Sequence, residues 1–386
     1  MDNRKDVTPT VGSDVATIYV AIELSRKSWL ALVQSPRRER ASQHKLAAAD
    51  KAGLWSAIVR EREALLGSGY PRVRVVSCYE AGRDGFWLHR FLEGQGVESQ
   101  VVDPGSVLVN RRARRAKTDR LDAEGLLRLA MRHDAGDHSL GRMVVVPSVE
   151  EEDARRPERE RRRLLSERTA HGNRVVGLLA LHGIYGYRPL KADRRVQLAG
   201  LRGDDGRALP ARLRLEIERE LERLELVSAQ IAALEKARQT AHKAAPADDA
   251  AAGVVRLLLR VKAIGLETAS VLSHEVLYRR FANRRKVASF VGLCGSPFQS
   301  GGMAHEQGIA KAGNKRARAV LIELAWSWLR LQPDSEITQW FKTQAAGANA
   351  RRRKQLIVAV ARRILVDLWR YVTTGVLPPG VRLKPV

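Results

Sequence analysis

Residues 16–34, ATIYVAIELSRKSWLALVQ, hold two runs of β-branched, aromatic and small apolar side chains broken by the polar Ser25, Arg26 and Lys27, the pattern of two strands joined by a tight turn. A third strand is predicted near 41–47. Residues 49–66 carry apolar positions at helical spacing, and RVRVVSCYE at 72–80 reads as a buried strand. RDGFWLHRFLEG at 83–94 then reads as a short helix, and SQVVDP at 99–104 as another strand. A helix start follows at Thr118. The predicted order is β-β-β-α-β-α-β-α.

Beyond about residue 146 the pattern changes from strands to charged helix. EEEDARRPERERRRLLSERTAHGNRVVGLLALHGI is helical, with Pro157 marking a start or a kink. Leu213, Ile217, Leu221, Leu224, Val227, Ile231 and Leu234 then recur at threes and fours, the seam of a helical hairpin or of a coiled coil. Residues 184–210 between them read as loop, and AAPADDAAAG at 244–253 as a linker. A mainly α domain is predicted at 251–345. It opens with LLLRVKAIGLETASVLSHEV, a helix, a Gly-bearing turn and a helix, and it places Ala317, Val320, Leu321, Leu324, Ala325 and Trp328 on one helical face. Trp326 and Trp328 both read as core. Residues 292–314, GLCGSPFQSGGMAHEQGIAKAGN, are Gly-rich and without period, which predicts a functional loop. A basic helical tail is expected at 346–386.

The early strands point to an α/β RNase H-like (RuvC-like) domain at 16–145, after a disordered lead at 1–15. A doubly wound nucleotide-binding fold would alternate strand and helix from the start and place GxGxxG after its first strand; this chain does neither. The helical, coiled-coil spacer is assigned to 146–250.

Charge narrows the function. Lys and Arg number 68 against 43 Asp and Glu, a net charge of +25, which points to nucleic acid or an anionic membrane. No apolar run approaches the ~18 residues of a membrane span. The N-terminus lacks the apolar core of a signal peptide, so the cytoplasm is expected. Cys78 and Cys294 are too few for a thiolate zinc site, the nine histidines form no HxxxH or HExxH cluster, and GxxxxGK[ST] is absent.

The candidate chemistry begins in RRARRAKTDRLDAEGLL, residues 111–127. Asp119 and Asp122 lie on one helix face with Cβ atoms about 5–6 Å apart. Acidic residues behind an N-cap such as Thr118 are also favoured by the helix dipole, so these two could merely stabilise the helix start. Glu23 and Glu80 each end an apolar run, at the strand termini where open α/β sheets build their sites. Four carboxylates from two strand ends and one helix form a hard oxygen set suited to Mg²⁺ or Mn²⁺, and Arg111, Arg112, Arg114, Arg115 and Lys117 would hold a nucleic-acid backbone beside them. In the C-terminal half Ser300 precedes Gly301 and Gly302, which let another backbone approach closely; SGG is also an ordinary turn.

The spread E…E…KTDxxDA, followed by a helical spacer and GL-(x)n-SGG-(x)n-I-x-K-x-GN, resembles the DEDD transposases of the IS-one-ten insertion-sequence family over roughly residues 16–345. The resemblance implies a DNA transposase or site-specific recombinase in which Glu23, Glu80, Asp119 and Asp122 bind the metal and Ser300 forms a covalent link to DNA during strand exchange. The family's first acid is Asp, and Glu23 departs from it by one methylene. Gly301, Gly302, Lys311, Gly313 and Asn314 match the second motif and imply phosphate contact or loop shaping, with Lys315, Arg316 and Arg318 adding cations. KAIGLETA at 262–269 is similar to the family's PGIG-type helix-hairpin-helix, with Lys262–Ala263 in place of Pro-Gly. The resemblance further implies a structured guide RNA from the element, and the coiled-coil stripe together with exchange between two duplexes implies a homo-oligomer, a dimer or a tetramer. Two rival readings stay open: a metal-dependent nuclease or junction resolvase without serine chemistry, and a decayed architectural DNA-binding protein.

Overall fold

The computed structural model describes residues 14–82, 85–107, 118–300, 303–310 and 313–385. Their contacts divide the chain into two units, one ending at Val146 and one beginning at Pro147. The expected lead at 1–15 falls mostly outside the described residues; Val15 already belongs to the first strand.

The first unit contains β1 (Val15–Leu24), β2 (Ser28–Gln34), β3 (Ser42–Ala47), α1 (Lys51–Gly67), β4 (Arg72–Glu80), α2 (Trp87–Gly94), β5 (Glu98–Val102) and α3 (Asp119–Asp134). The strands form one mixed sheet in the order β3-β2-β1-β4-β5. The β1–β2 and β2–β3 pairs are antiparallel, and β1–β4 and β4–β5 are parallel. Ser25 closes the first turn: its Oγ donates to Ser28 O at 2.6 Å and accepts from Ser28 N.

Strand alternation gives the sheet two covered faces. Ile18, Val20 and Ile22 of β1, with Val75 and Tyr79 of β4, pack against Leu54 and Ile58 of α1 and Leu88 and Leu92 of α2. On the other face Ala21, Leu30, Leu32 and Cys78 meet Ala123, Leu126, Leu127 and Ala130 of α3, which recur at i, i+3, i+4 and i+7. Each leucine buried there contributes about 1.5–3 kcal/mol. Polar contacts fix the direction of α3. Asp134, its last residue, accepts from Tyr19 Oη at 2.7 Å and from Arg74 Nη1 and Nη2 at 2.9 and 2.7 Å, while Arg74 also pairs with Glu98. Arg74 is near the start of β4, so α3 runs antiparallel to β4 and to its parallel neighbour β1.

The second unit is mainly helical: α4 (Val149–Asp153), α5 (Arg156–Ala180), α6 (Arg194–Gly200), α7 (Ala211–Ala244), α8 (Ala250–Leu259), α9 (Leu266–Leu272), α10 (Arg284–Val291), β6 (Gly295–Ser300), β7 (Met303–Ile309), α11 (Lys315–Leu331), α12 (Glu336–Ala345) and α13 (Ala350–Thr374). A π-helical turn, Ser273–Leu277, continues α9. The α5 and α7 helices form an antiparallel hairpin, pinned by Arg161–Glu235 at one end and Arg174–Glu216 at the other. The apolar stripe of α7 is consumed inside this hairpin: Ile217 and Leu221 pack with Val175, Leu178 and Leu179, and Val227 and Ile231 with Leu164. The stripe is therefore a seam within one chain, and the inference of subunit association from it lapses. The expected loop at 184–210 contains the short α6.

Helices α8 to α13 share one core around Trp328, Leu321, Ile357 and Ile364. All six predicted face residues of α11 are buried. Trp326, two positions before Trp328 and so turned well away from that face, is 56% exposed and is not core. The expected basic tail is likewise a core helix: α13 buries Ile357, Val360, Ala361, Ile364, Leu365 and Leu368, while Arg351, Arg352, Arg353 and Lys354 stay exposed in its first turn. Among the described residues no helix is long and apolar enough to cross a membrane.

Burial, and then the hydrogen bond to Asp134, push the Tyr19 hydroxyl from 10.0 up to about 12. A group whose pKa is raised by folding stabilises the fold below its unfolded value and loses that contribution as pH rises through the folded one. Calorimetric melting of wild type and Tyr19→Phe should show wild type more stable at pH 8, by about 1–2 kcal/mol, with the difference shrinking between pH 10 and 12. An unchanged difference across that window would mean the hydroxyl does not anchor α3.

Candidate active site

The parallel β1–β4 register pairs Ala21 with Cys78 and Ile22 with Tyr79, so the next step brings Glu23 alongside Glu80. Each acid lies two residues beyond a side chain that faces α3, Ala21 and Cys78 respectively, so both belong to the α3 face of the sheet. They line a cleft of about 330 Å³ together with Leu24, Ser25, Arg26, Ala81 and Gly82. Burial, and then the charge of Glu80, push the Cys78 thiol up to about 12, which makes this cysteine an apolar core residue and not a nucleophile.

The helix pair reaches the same end of the sheet. Fifteen residues separate Asp134 from Asp119, about 22 Å of helix, and six separate Arg74 from Glu80, about 20 Å of strand. Because α3 runs antiparallel to β4 from a shared anchor, its first turn is level with the strand ends. Asp119 is four residues before Ala123 and Asp122 four before Leu126, so both continue the sheet-facing stripe. Thr118 is the N-cap, accepting from Leu121 N at 3.3 Å, and the two aspartates are the acidic residues of the first turn. The helix-stabilising reading and the functional one are thus compatible. Among the described residues, no three His, Cys, Asp or Glu side chains are close enough together to hold an ion. Arg111, Arg112, Arg114, Arg115 and Lys117 lie outside the described residues.

The stretch expected to be a loop, 292–314, contains a β-hairpin. Gly295 pairs with Ile309 and Ser300 with Met303, with a shift in register between Gly295 and Pro297. Ser300 is thus the last residue of β6, about 17 Å along the strand from Gly295; the placement of its side chain, and Gly301, Gly302 and Lys311, lie outside the described residues. The hairpin base is tied down, with Ala310 N donating to Cys294 O at 2.8 Å.

The residues after the hairpin lock onto the helical core. Gly313 has φ +95°, and a Cβ built there would stand 2.2 Å from the carbonyl oxygen of Phe290, so glycine is required on both counts. Asn314 N donates to that same oxygen at 3.0 Å. Asn314 also caps α11: Oδ1 accepts from Arg316 N and Ala317 N, while Nδ2 donates to Glu275 Oε2 at 2.9 Å. Its side chain is engaged within the protein, in keeping with loop shaping, one of the two roles the motif implies for it. Arg318 Nη1 donates to Val291 O at 3.1 Å, and Lys315 is exposed.

Glu275, in the π-helical turn, is a residue the sequence reading missed. It is 5% exposed and receives Arg159 Nε at 3.1 Å and Arg316 Nη1 at 3.4 Å as well as Asn314. Burial opposes its charged form, but the hydrogen bonds from Arg159 and Asn314 outweigh that and hold its carboxyl below the usual range. An acid inside the apolar run SVLSHEVL was the available signal. In the turn before α9, Ala263 adopts φ +86°, a conformation glycine favours, while Val261 and Ile264 are buried. The turn packs into the core.

The first unit is a mixed α/β sheet with acids at the end of two strands, and the second is mainly helical and carries a hairpin whose first strand ends in Ser300. The family described as "Transposase IS116/IS110/IS902 family" matches residues 255–339. The chain is 44% identical over 393 residues to a Sinorhizobium fredii protein named "Putative transposase y4rJ", covering 99% of this chain and 98% of that protein. It is 32% identical over 216 residues to a Pseudomonas aeruginosa protein named "Probable family 20 transposase", covering 55% and 60% respectively. The chain belongs to the IS110/IS116 transposase family, whose members act in DNA transposition by insertion sequences.

Within residues 255–339 the tightest backbone constraint is Gly313. Gly313→Ala should destabilise the chain by more than about 2 kcal/mol, from a positive φ together with a backbone clash, and should expose amides of the hairpin and of the α11 start to hydrogen exchange. Wild-type melting and exchange in that variant would show that the turn relaxes without cost.

Proposed function

We propose that this transposase cleaves and rejoins DNA through two cooperating groups, a metal-binding carboxylate set on an RNase H-like (RuvC-like) sheet and the hydroxyl of Ser300. The observation that carries the reading is the arrival of Glu23, Glu80, Asp119 and Asp122 at one end and one face of the sheet, although Glu80 lies 57 residues after Glu23 and Asp119 a further 39 along the chain. The strand order β3-β2-β1-β4-β5, with its antiparallel first three strands, supports the fold assignment.

The donor set fits a hard dication: four carboxylates, no thiolate and no imidazole. Like charges repel, and a dication is what allows such a set to close. A Mg²⁺ or Mn²⁺ so held would draw in a phosphodiester oxygen and make phosphorus more electrophilic. Glu23 keeps the charge of the family's aspartate on a longer arm and reaches the same cleft as Glu80.

Ser300 ends a strand of a hairpin whose base is fixed by Cys294, Gly313 and Asn314, so it lies at the end of the strand remote from that anchor. In the proposed step the Ser300 Oγ–P bond forms and a P–O ester bond of DNA breaks. The serine proton passes to the departing deoxyribose oxygen. One ester replaces another, so the phosphoryl link is retained and a hydroxyl from a second strand rejoins by the reverse reaction. The excess of cationic side chains supports DNA binding. By family resemblance, a structured guide RNA and assembly of two or more copies complete the reading.

Labelled element-end DNA, its flanking RNA and Mg²⁺, resolved on a denaturing protein gel, test it. Wild type should form a protein–DNA adduct, with Ser300→Ala and Asp119→Asn each losing it and lowering strand exchange at least about 10³-fold, while Glu23→Asp retains it. Cleavage that survives in Ser300→Ala but not in Asp119→Asn would assign a nuclease without serine chemistry; DNA binding with no scission in any variant would assign an architectural protein.

A further inference from the structure

Glu275 is surrounded by more positive charge than it can balance. Arg159 from α5 and Arg316 from α11 both turn a guanidinium edge onto its carboxylate, and each remains about 40% exposed, 38% and 41% respectively. Arg316 is shifted below its usual range, first by burial and next by the charge of Arg159, with Arg162 contributing in the same direction. One carboxylate facing two guanidiniums leaves a local excess of one positive charge.

The geometry of the donors says where that excess points. Arg159 directs Nε and Nη2 at Glu275, and Arg316 directs Nη1. A guanidinium has five N–H donors in a rigid fork. Its remaining edges are turned from the carboxylate, and Arg159 lines an open cleft of about 320 Å³ with Glu152, Arg156 and Glu160. The start of α11, a helix of 17 residues, adds its positive end at Arg316.

We propose that Arg159 and Arg316, held in register by Glu275, form a clamp for the phosphodiester backbone of duplex DNA. Arg159 and Arg316 are the contact residues; Glu275 is a positioning residue, acting through them. The clamp draws α5, otherwise a partner of α7, into the DNA-binding surface of the transposase unit, and its Arg316 stands two residues beyond the Gly313–Asn314 turn that anchors the serine hairpin. A phosphate bridging two guanidiniums relieves their mutual repulsion, so occupancy and the geometry of the clamp reinforce each other. This inference rests on the reading of the chain as a DNA-acting enzyme.

The test is the salt dependence of affinity for a labelled duplex of random sequence, without metal or guide RNA, so that cleavage plays no part. Each lost phosphate contact should flatten the plot of log K against log salt by about 0.9. Arg159→Gln and Arg316→Gln should each do so, and the double variant by about 1.8. Glu275→Gln supplies a readout of opposite sign to simple attraction: it raises the net charge by one, yet it should weaken binding because the two guanidiniums lose their register. Thermal melting of each variant checks that it folds; should Glu275→Gln fail to fold, the two arginine variants at half-exposed positions decide. Wild-type slopes in both arginine variants, with wild-type protein binding DNA, would overturn the clamp. Flattening seen on a structured RNA but not on the duplex would overturn the DNA assignment. Absence of salt-dependent DNA binding by the wild type would sink the proposed function and the clamp with it.

Discussion

Carboxylates shared between two cations are the interaction on which this fold depends. Glu275 joins Arg159 to Arg316, Glu267 joins Arg161 to Arg238, and Glu225 joins Arg194 to Arg195. Asp134 joins Tyr19 to Arg74 in the first unit. In a chain where cations exceed acids by 25, these four acids become nodes between separate elements. Removing a charge from water is costly, and a single surface ion pair scarcely offsets it. Two guanidiniums with several N–H donors satisfy more of a carboxylate's lone pairs than one can, so the shared arrangement is what lets a carboxylate such as Glu275 remain ionised at 5% exposure.

The same arrangement separates the two uses of positive charge. Electrons on an interior carboxylate fix the position of the guanidinium, and the donors left over face outward in a fixed geometry. A freely rotating surface lysine attracts a polyanion equally well at long range but loses side-chain entropy on contact. Nodes of this kind therefore combine a stability role inside one unit with a preorganised surface outside it. At the sheet end the sign is inverted: Glu23 and Glu80 end neighbouring strands and Asp119 and Asp122 open α3, so acids meet one end of the sheet in a positively charged chain.

The sheet was legible because its information is local. Alternation in β1, β2 and β4, the polar SRK turn and the helical period of α3 each lie within a window of a few residues, and the strand-end acids follow from where the apolar runs stop. The hairpin at 295–309 was illegible because its stability comes from backbone pairing, which leaves no side-chain period in GSPFQS or MAHEQGI. The stripe of α7 was visible, but its partner was not: periodicity says that a face is buried and does not say whether the covering helix belongs to the same chain. Glu275 and Arg159 are 116 residues apart, and an arginine in ERERRR carries no mark that distinguishes it from its neighbours.

Asn314 is held within the protein through both ends of its side-chain amide. Its Oδ1 accepts from two backbone amides of α11, and its Nδ2 donates to both the carboxylate and the carbonyl oxygen of Glu275. A side-chain amide offers two donors and one doubly accepting oxygen, so little capacity is left for a phosphate without breaking an internal bond. Gly313 beside it is fixed by the Phe290 carbonyl, which leaves no room for any side chain. Gly313 and Asn314 are therefore the means by which the chain turns from the hairpin into α11. In the proposed clamp the contact falls to Arg316, whose side chain is 41% exposed and gives Nη1 to Glu275.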